Sequence, residues 1–147
     1  MHFQTHYASA AVLSLASNDS LVFTGHADSA IRVWSTATWT CERTLTDHTD
    51  SVYTLVMCGD KLASGSFDET IKIWNTTTWT CERTLTNHSS YVSCLATTHE
   101  SGKLVSGSLD KTVMIWDTAN WTCERTVQIS NTEEVSLKVH GDTLLVG

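Results

Sequence analysis

The chain has 147 residues, the size of one ordinary domain, and its 41% apolar and 17% charged residues make a globular rather than a disordered composition. Its formal net charge is −7, and its nine Lys and Arg stand singly, so the clustered basic patch that nucleic acid or an anionic membrane requires is missing. No apolar run approaches the roughly 18 residues of a membrane span, and Met1-His2-Phe3-Gln4 opens nothing like a signal peptide. Neither a nucleic-acid nor a membrane partner is expected, and the expected compartment is the cytoplasm or the nucleus.

Along the chain the string Trp-Thr-Cys-Glu-Arg-Thr occurs three times, starting at Trp39, Trp79 and Trp121, at spacings of 40 and 42 residues. A repeat of about 40–45 residues is the length of one four-stranded propeller blade. The first unit carries Phe23-Thr24-Gly25-His26-Ala27-Asp28 and then Ile31-Arg32-Val33-Trp34-Ser35. In the second unit, Ser51–Met57 alternates as a half-buried strand does, and Cys58-Gly59-Asp60 turns the chain. Lys61–Gly65 is a second strand closed by the tight turn Ser66-Phe67-Asp68-Glu69, and β-branched Thr70–Trp74 is a third. A turn at Asn75–Thr78 leads to a fourth strand, Thr80–Leu85. Connections this short predict an antiparallel meander. The third unit repeats the pattern with Leu104-Val105-Ser106-Gly107-Ser108-Leu109-Asp110 and Val113-Met114-Ile115-Trp116-Asp117, and Glu134–Gly147 supplies two more inner strands.

These spaced motifs, with Asp47-His48 and Asn87-His88 ahead of the second and third units, resemble WD repeats over nearly the whole chain. The resemblance implies an all-β fold of about 3.5 WD40 blades, an incomplete β-propeller. Its expected divisions are an outer-strand stub at 1–7, blades at 8–46, 47–86 and 87–128, and an incomplete fourth blade at 129–147. The sequence departs from the family pattern in places. Gly-His is replaced by Asp-His and Asn-His, residues that tolerate left-handed turns. The Trp-Asp pair is intact only at Trp116-Asp117; His6 sits two residues early, Ser130 takes the expected His place, and Val146 the expected Ser place.

His48, Ser64 and Asp68 have the residue types of a hydrolytic triad, and His88, Ser106 and Asp110 repeat them. A single active site does not need two sets at matching positions. The resemblance implies instead a structural hydrogen-bonded relay: His48–Ser64–Asp68–Trp74, His88–Ser106–Asp110–Trp116, and in the first unit Thr24, Asp28 and Trp34. No catalytic residue, metal or cofactor is expected. Cys41, Cys81 and Cys123 stand at equivalent positions of successive blades, too spread around a ring to share an ion. Glu42 and Arg43, with their two repeats, are adjacent and so should face opposite sides of a strand, each toward a neighbouring blade.

Specificity is sought where units differ. The residue before the turn Asp is Ala27, Phe67 or Leu109, the one after it is Ser29, Glu69 or Lys111, and a tyrosine falls at Tyr53 in one unit and Tyr91 in the next. Tyr53, Phe67, Glu69, Tyr91, Leu109 and Lys111 are therefore the candidate partner-binding residues, since aromatics are enriched at interface anchors. The expected function is a non-enzymatic interaction scaffold or adaptor for a protein or peptide. Alternatives are the substrate-recognition propeller of a ubiquitin-ligase or signalling protein, and an enzyme with a site at the propeller axis. Because a closed propeller takes four to eight blades, the chain is expected to be a fragment of a longer protein. Closure through dimerisation and an open arc whose blade edges invite self-association are the other two outcomes.

Overall fold

The computed structural model describes residues 10–98, 102–129, 136–140 and 143–146. The expected stub at 1–7, His6 and Ser130 lie outside the described residues. Those described form strands and no helix, so no helix is long and apolar enough to cross a membrane. The first sheet is β1 (Val12–Ser17), β2 (Leu21–His26), β3 (Ile31–Ser35) and β4 (Cys41–Leu45). The second is β5 (Val52–Cys58), β6 (Lys61–Ser66), β7 (Ile71–Asn75) and β8 (Cys81–Leu85). The third is β9 (Val92–Thr97), β10 (Leu104–Ser108), β11 (Thr112–Asp117) and β12 (Thr122–Gln128). A two-stranded sheet follows, β13 (Leu137–His140) with β14 (Thr143–Val146). Each four-stranded sheet is an antiparallel meander in chain order, giving three blades of a partial propeller.

The local chemistry explains the turns. Gly59 adopts φ 60 at the first position of the two-residue β5–β6 hairpin, where a side chain would be strained. At the entry to each fourth strand the left-handed residue is a tryptophan: Trp39 (φ 54), Trp79 (φ 62) and Trp121 (φ 60). Its N–H donates back to the carbonyl of Ser35, Asn75 or Asp117 at 2.8, 2.9 and 2.7 Å. Immediately after, the pairing of the third and fourth strands shifts by one residue. Ile73 faces Arg83 and Trp74 faces Cys81, so Glu82 is the extra residue of a β-bulge, as Glu42 and Glu124 are in their blades.

That bulge corrects the alternation expected at Glu-Arg. Glu82 is turned onto its own blade, where it accepts from Asn75 Nδ2 at 2.7 Å and Lys61 Nζ at 3.1 Å. Glu124 pairs likewise with Lys103 at 2.7 Å. In the first blade Leu21 stands where Lys61 and Lys103 stand in the others.

The apolar cores lie between blades. Phe23, Ile31, Val33 and Leu45 of the first blade close on Val52, Leu55, Leu62 and Trp74 of the second. Ala63, Ile71, Ile73 and Leu85 of the second close on Val92, Leu104, Met114 and Trp116 of the third. Val105 and Val113 begin a smaller cluster that reaches Leu137 on β13. The inner strands pack at the axis so closely that a Cβ on Gly65 would lie 2.6 Å from Val92 Cγ1 and 2.7 Å from Thr54 Cγ2. Glycine there lets the next blade in.

Candidate functional site

The relay residues meet in the second blade. Trp74 Nε1–H donates to Ser64 Oγ at 2.8 Å, Ser64 Oγ lies 2.7 Å from His48 Nε2, and His48 Nδ1 lies 2.7 Å from Asp68 Oδ2. The carboxylate is an acceptor only, so Nδ1 carries the proton. Asp68 also receives the Thr49 N–H at 3.1 Å, and the Thr70 N–H and hydroxyl at 3.0 and 2.7 Å. Burial alone would raise the Asp68 carboxyl; the bonds from His48 and Thr70 outweigh it and hold the group well below the carboxylate range. The third blade repeats this, with Trp116 to Ser106 at 2.9 Å, Ser106 to His88 at 2.7 Å and His88 to Asp110 at 2.8 Å. Against burial, Thr112 and His88 draw the Asp110 carboxyl down as well.

The first blade is wired differently. Trp34 Nε1–H still donates to Thr24 Oγ1 at 2.8 Å, but Asp28 is not joined to that pair: it forms a two-toothed ion pair with Arg32, at 2.7 and 3.2 Å. The imidazole comes instead from His26, whose Nε2 lies 2.7 Å from Thr24 Oγ1. His26 sits on β2 where the other blades carry Ser66 and Ser108. Those serines donate to the carbonyls of Asp50 and Ser90 at 3.0 Å, and His26 Nδ1 reaches the corresponding Ala10 carbonyl at 3.3 Å. One ring therefore replaces two groups. Burial lowers its proton affinity, opposed by the Ala10 bond. Sequence reasoning passed over His26 as a relay member; the signal was its register against Ser66 and Ser108.

Ser64 and Ser106 are fully buried, and each hydroxyl is held by an indole N–H and an imidazole. A substrate carbonyl has no approach to either oxygen, so these sets serve polar satisfaction within the blade.

The residues chosen because they differ between units cluster at the end of the arc carrying the β6–β7 turn. The first strand of each blade contains a second bulge: Val52 faces Ser66 and Thr54 faces Gly65, leaving Tyr53 as the extra, outward residue. Tyr53 lies 6.3 Å from the Phe67 ring and 6.0 Å from that of Tyr91, and Phe67 stacks on Tyr91 at 4.2 Å. Tyr53 and Phe67 are 38% and 45% exposed, so this apolar group is offered to solvent. Around it, Glu69 (φ 70) and Lys111 (φ 66) occupy the left-handed position of their turns, as Ser29 (φ 64) does in the first blade. Leu109, half-buried, takes the place of Phe67 in the third blade.

At the opposite end an open groove of about 1080 Å³ runs between the second and third blades, past Lys61, Glu82, Arg83 and Trp121. Burial pushes the Cys58 thiol in its wall up to about 11, which keeps it protonated and unreactive.

The same fold occurs in solved structures. The designed Ika4 protein is 27% identical, with a TM-score of 0.86 over 97% of this chain and 88% of its own. The designed Ika8 protein is 28% identical, with a TM-score of 0.85 over 95% of this chain and 43% of its own. The WD40 repeats of RRP9 are 25% identical, with a TM-score of 0.81 over 88% of this chain; this chain spans only 42% of that one, as it does of U3-55K. No curated protein matches the chain significantly. The family model for the WD domain, G-beta repeat, matches residues 1–35, 39–75 and 79–117, the second and third matches taking the last strand of one sheet with the first three of the next. With most of its length so matched, this chain belongs to the WD40 repeat family.

Proposed function

We propose that the chain is a non-enzymatic scaffold that holds a protein or peptide on the exposed ring group of Tyr53, Phe67 and Tyr91, flanked by Glu69, Leu109 and Lys111. WD40 propellers in general serve as protein-interaction scaffolds. One observation carries the reading: three aromatic side chains from two blades converge in contact with water, while the polar relays beneath them are closed on themselves. Rigid aromatic anchors of this kind supply much of the energy of protein interfaces. The net charge of −7 favours a partner with a basic surface around its docking segment. Placement within a longer propeller, such as the substrate receptor of a ubiquitin ligase or a signalling protein, would use the same rings.

The test is affinity capture from cell extract with the wild-type chain, the Tyr53→Ala/Phe67→Ala variant and a Glu42→Ala control. Proteins held by wild type and control but lost by the double variant, with its melting temperature nearly kept, support the site. An unchanged set of retained proteins overturns it.

A further inference from the structure

The rings Tyr53, Phe67 and Tyr91 lie between two complete blades, and the chain around them is unevenly charged. The turn that carries Phe67 is tied to the entrance of β5. The Phe67 N–H donates to the Ser51 carbonyl at 2.9 Å, and Ser66 Oγ donates to the Asp50 carbonyl at 3.0 Å. Asp50 thus stands just ahead of Tyr53, while Asp68 and Glu69 directly follow Phe67. Against burial, the bonds from His48 and Thr70 hold the Asp68 carboxyl well below the ordinary range, so it keeps its charge.

The first blade shows how such a charge is answered. There Asp28 takes the guanidinium of Arg32 through two bonds, at 2.7 and 3.2 Å. Lys72 and Met114 hold the place of Arg32 in the second and third blades, and Lys72 Nζ is turned to Thr84 Oγ1 at 3.1 Å. Among the described residues no ion pair reaches Asp50 or Glu69. Lys111 takes the place of Glu69 one blade on, where Leu109 replaces the ring. The second blade therefore sets exposed aromatic faces beside carboxylates that the chain itself leaves without a cation.

The rings add a shape. Phe67 and Tyr91 form a stack, and Tyr53 is tilted from them by 49° and 47°, so the group offers faces in two directions. Ring faces attract cations, and a guanidinium suits this setting better than an ammonium. It is planar and weakly hydrated, and it can lie on a ring while its N–H fork binds a carboxylate.

We propose that the docking group takes an arginine side chain of its protein or peptide partner, with the guanidinium against Tyr53 and Phe67 and its N–H groups directed to the Glu69 carboxylate. The inference rests on the docking function proposed above and adds the chemistry of the occupant.

NMR titration of the full chain with the end-blocked peptide Gly-Ser-Arg-Ser-Gly tests it, beside peptides carrying lysine, citrulline or alanine in place of arginine. Arginine should bind tighter than lysine, and about tenfold tighter than neutral citrulline, the combined effect of a cation–π contact and one exposed ion pair. The shifts should centre on Tyr53, Phe67 and Tyr91. Glu69→Gln should narrow the arginine–citrulline gap to about threefold and weaken its salt dependence, and Glu42→Ala should leave both unchanged. Equal binding of the arginine and citrulline peptides, lysine binding as tight as arginine, arginine binding that survives Tyr53→Ala/Phe67→Ala, or no shift at the rings overturns the proposal. The capture experiment judges the docking function separately, because it uses none of these peptides. Proteins lost there by the double variant, with equal arginine and citrulline binding here, would keep the docking site and remove this occupant.

Discussion

The rings of Phe67 and Tyr91 lie 4.2 Å apart and 8° from parallel, although one sits in the turn of the second blade and the other at the threshold of the third. The contact is thus a bridge between blades as well as part of the exposed group. A double-mutant cycle of Phe67→Ala and Tyr91→Ala, read by urea unfolding, should return a coupling of about 0.5–1.5 kcal/mol. Strict additivity would mean that the rings do not touch in solution.

The relay carboxylates set an acid limit. Asp68 and Asp110 have folded proton affinities below those of the unfolded chain, so the unfolded state takes up more protons as pH falls. Their contribution is fully present above about pH 4, the ordinary carboxylate range, and is lost below it as pH falls toward the folded values. Asp68→Asn should therefore flatten the low-pH limb of the stability curve. Wild-type and variant urea midpoints that fall in parallel below that pH would rule this out.

His26 sets a second, separate window. Its proton affinity is lowered from 6.5, chiefly by burial, so the unfolded chain protonates first. The stabilisation is present above about pH 6.5 and declines as pH drops through the region below it. His26→Ser, which restores the residue type of Ser66 and Ser108, should remove that decline. At neutral pH it should cost about 0.5–1.5 kcal/mol for the lost Thr24 bond. A pH profile between about 5 and 7 that His26→Ser leaves unaltered would contradict the assignment.

Two glycine substitutions separate strain from packing. Trp39→Gly removes a left-handed side chain that stands 59% exposed, and should be neutral or stabilising by about 1 kcal/mol. Trp79→Gly gains the same relief but uncovers Phe23, and should be destabilising by about 1–3 kcal/mol net. Equal melting temperatures for the two variants would refute the difference in cover.

The blade period, the strand order and the family were legible because the hexapeptide fixed the register of every unit. The spacing of His48, Ser64, Asp68 and Trp74 pointed to side chains that the structure brings into contact. What alternation cannot show is a bulge. Period-two reading assumes one residue facing one, so it turns Glu82 toward a neighbouring blade, and Tyr53 is singled out by its difference between units while the bulge that turns it outward is not. His26 escaped because its role was sought at the position of His48, whereas the ring enters from a different strand. The exposure of Trp39 is equally invisible in the string, since its three copies are identical and only their neighbours differ.

Because the two larger apolar cores among the described residues form between sheets, stability here belongs to junctions. Among the described residues the β5–β8 sheet is clamped on both sides, whereas the first sheet is held on one. Such a molecule behaves as a short nearest-neighbour chain, in which the middle element opens only after a flank has let go. Fraying from the ends inward is then its natural mode of motion, and whatever caps an end stiffens the whole arc, including the rings at its centre.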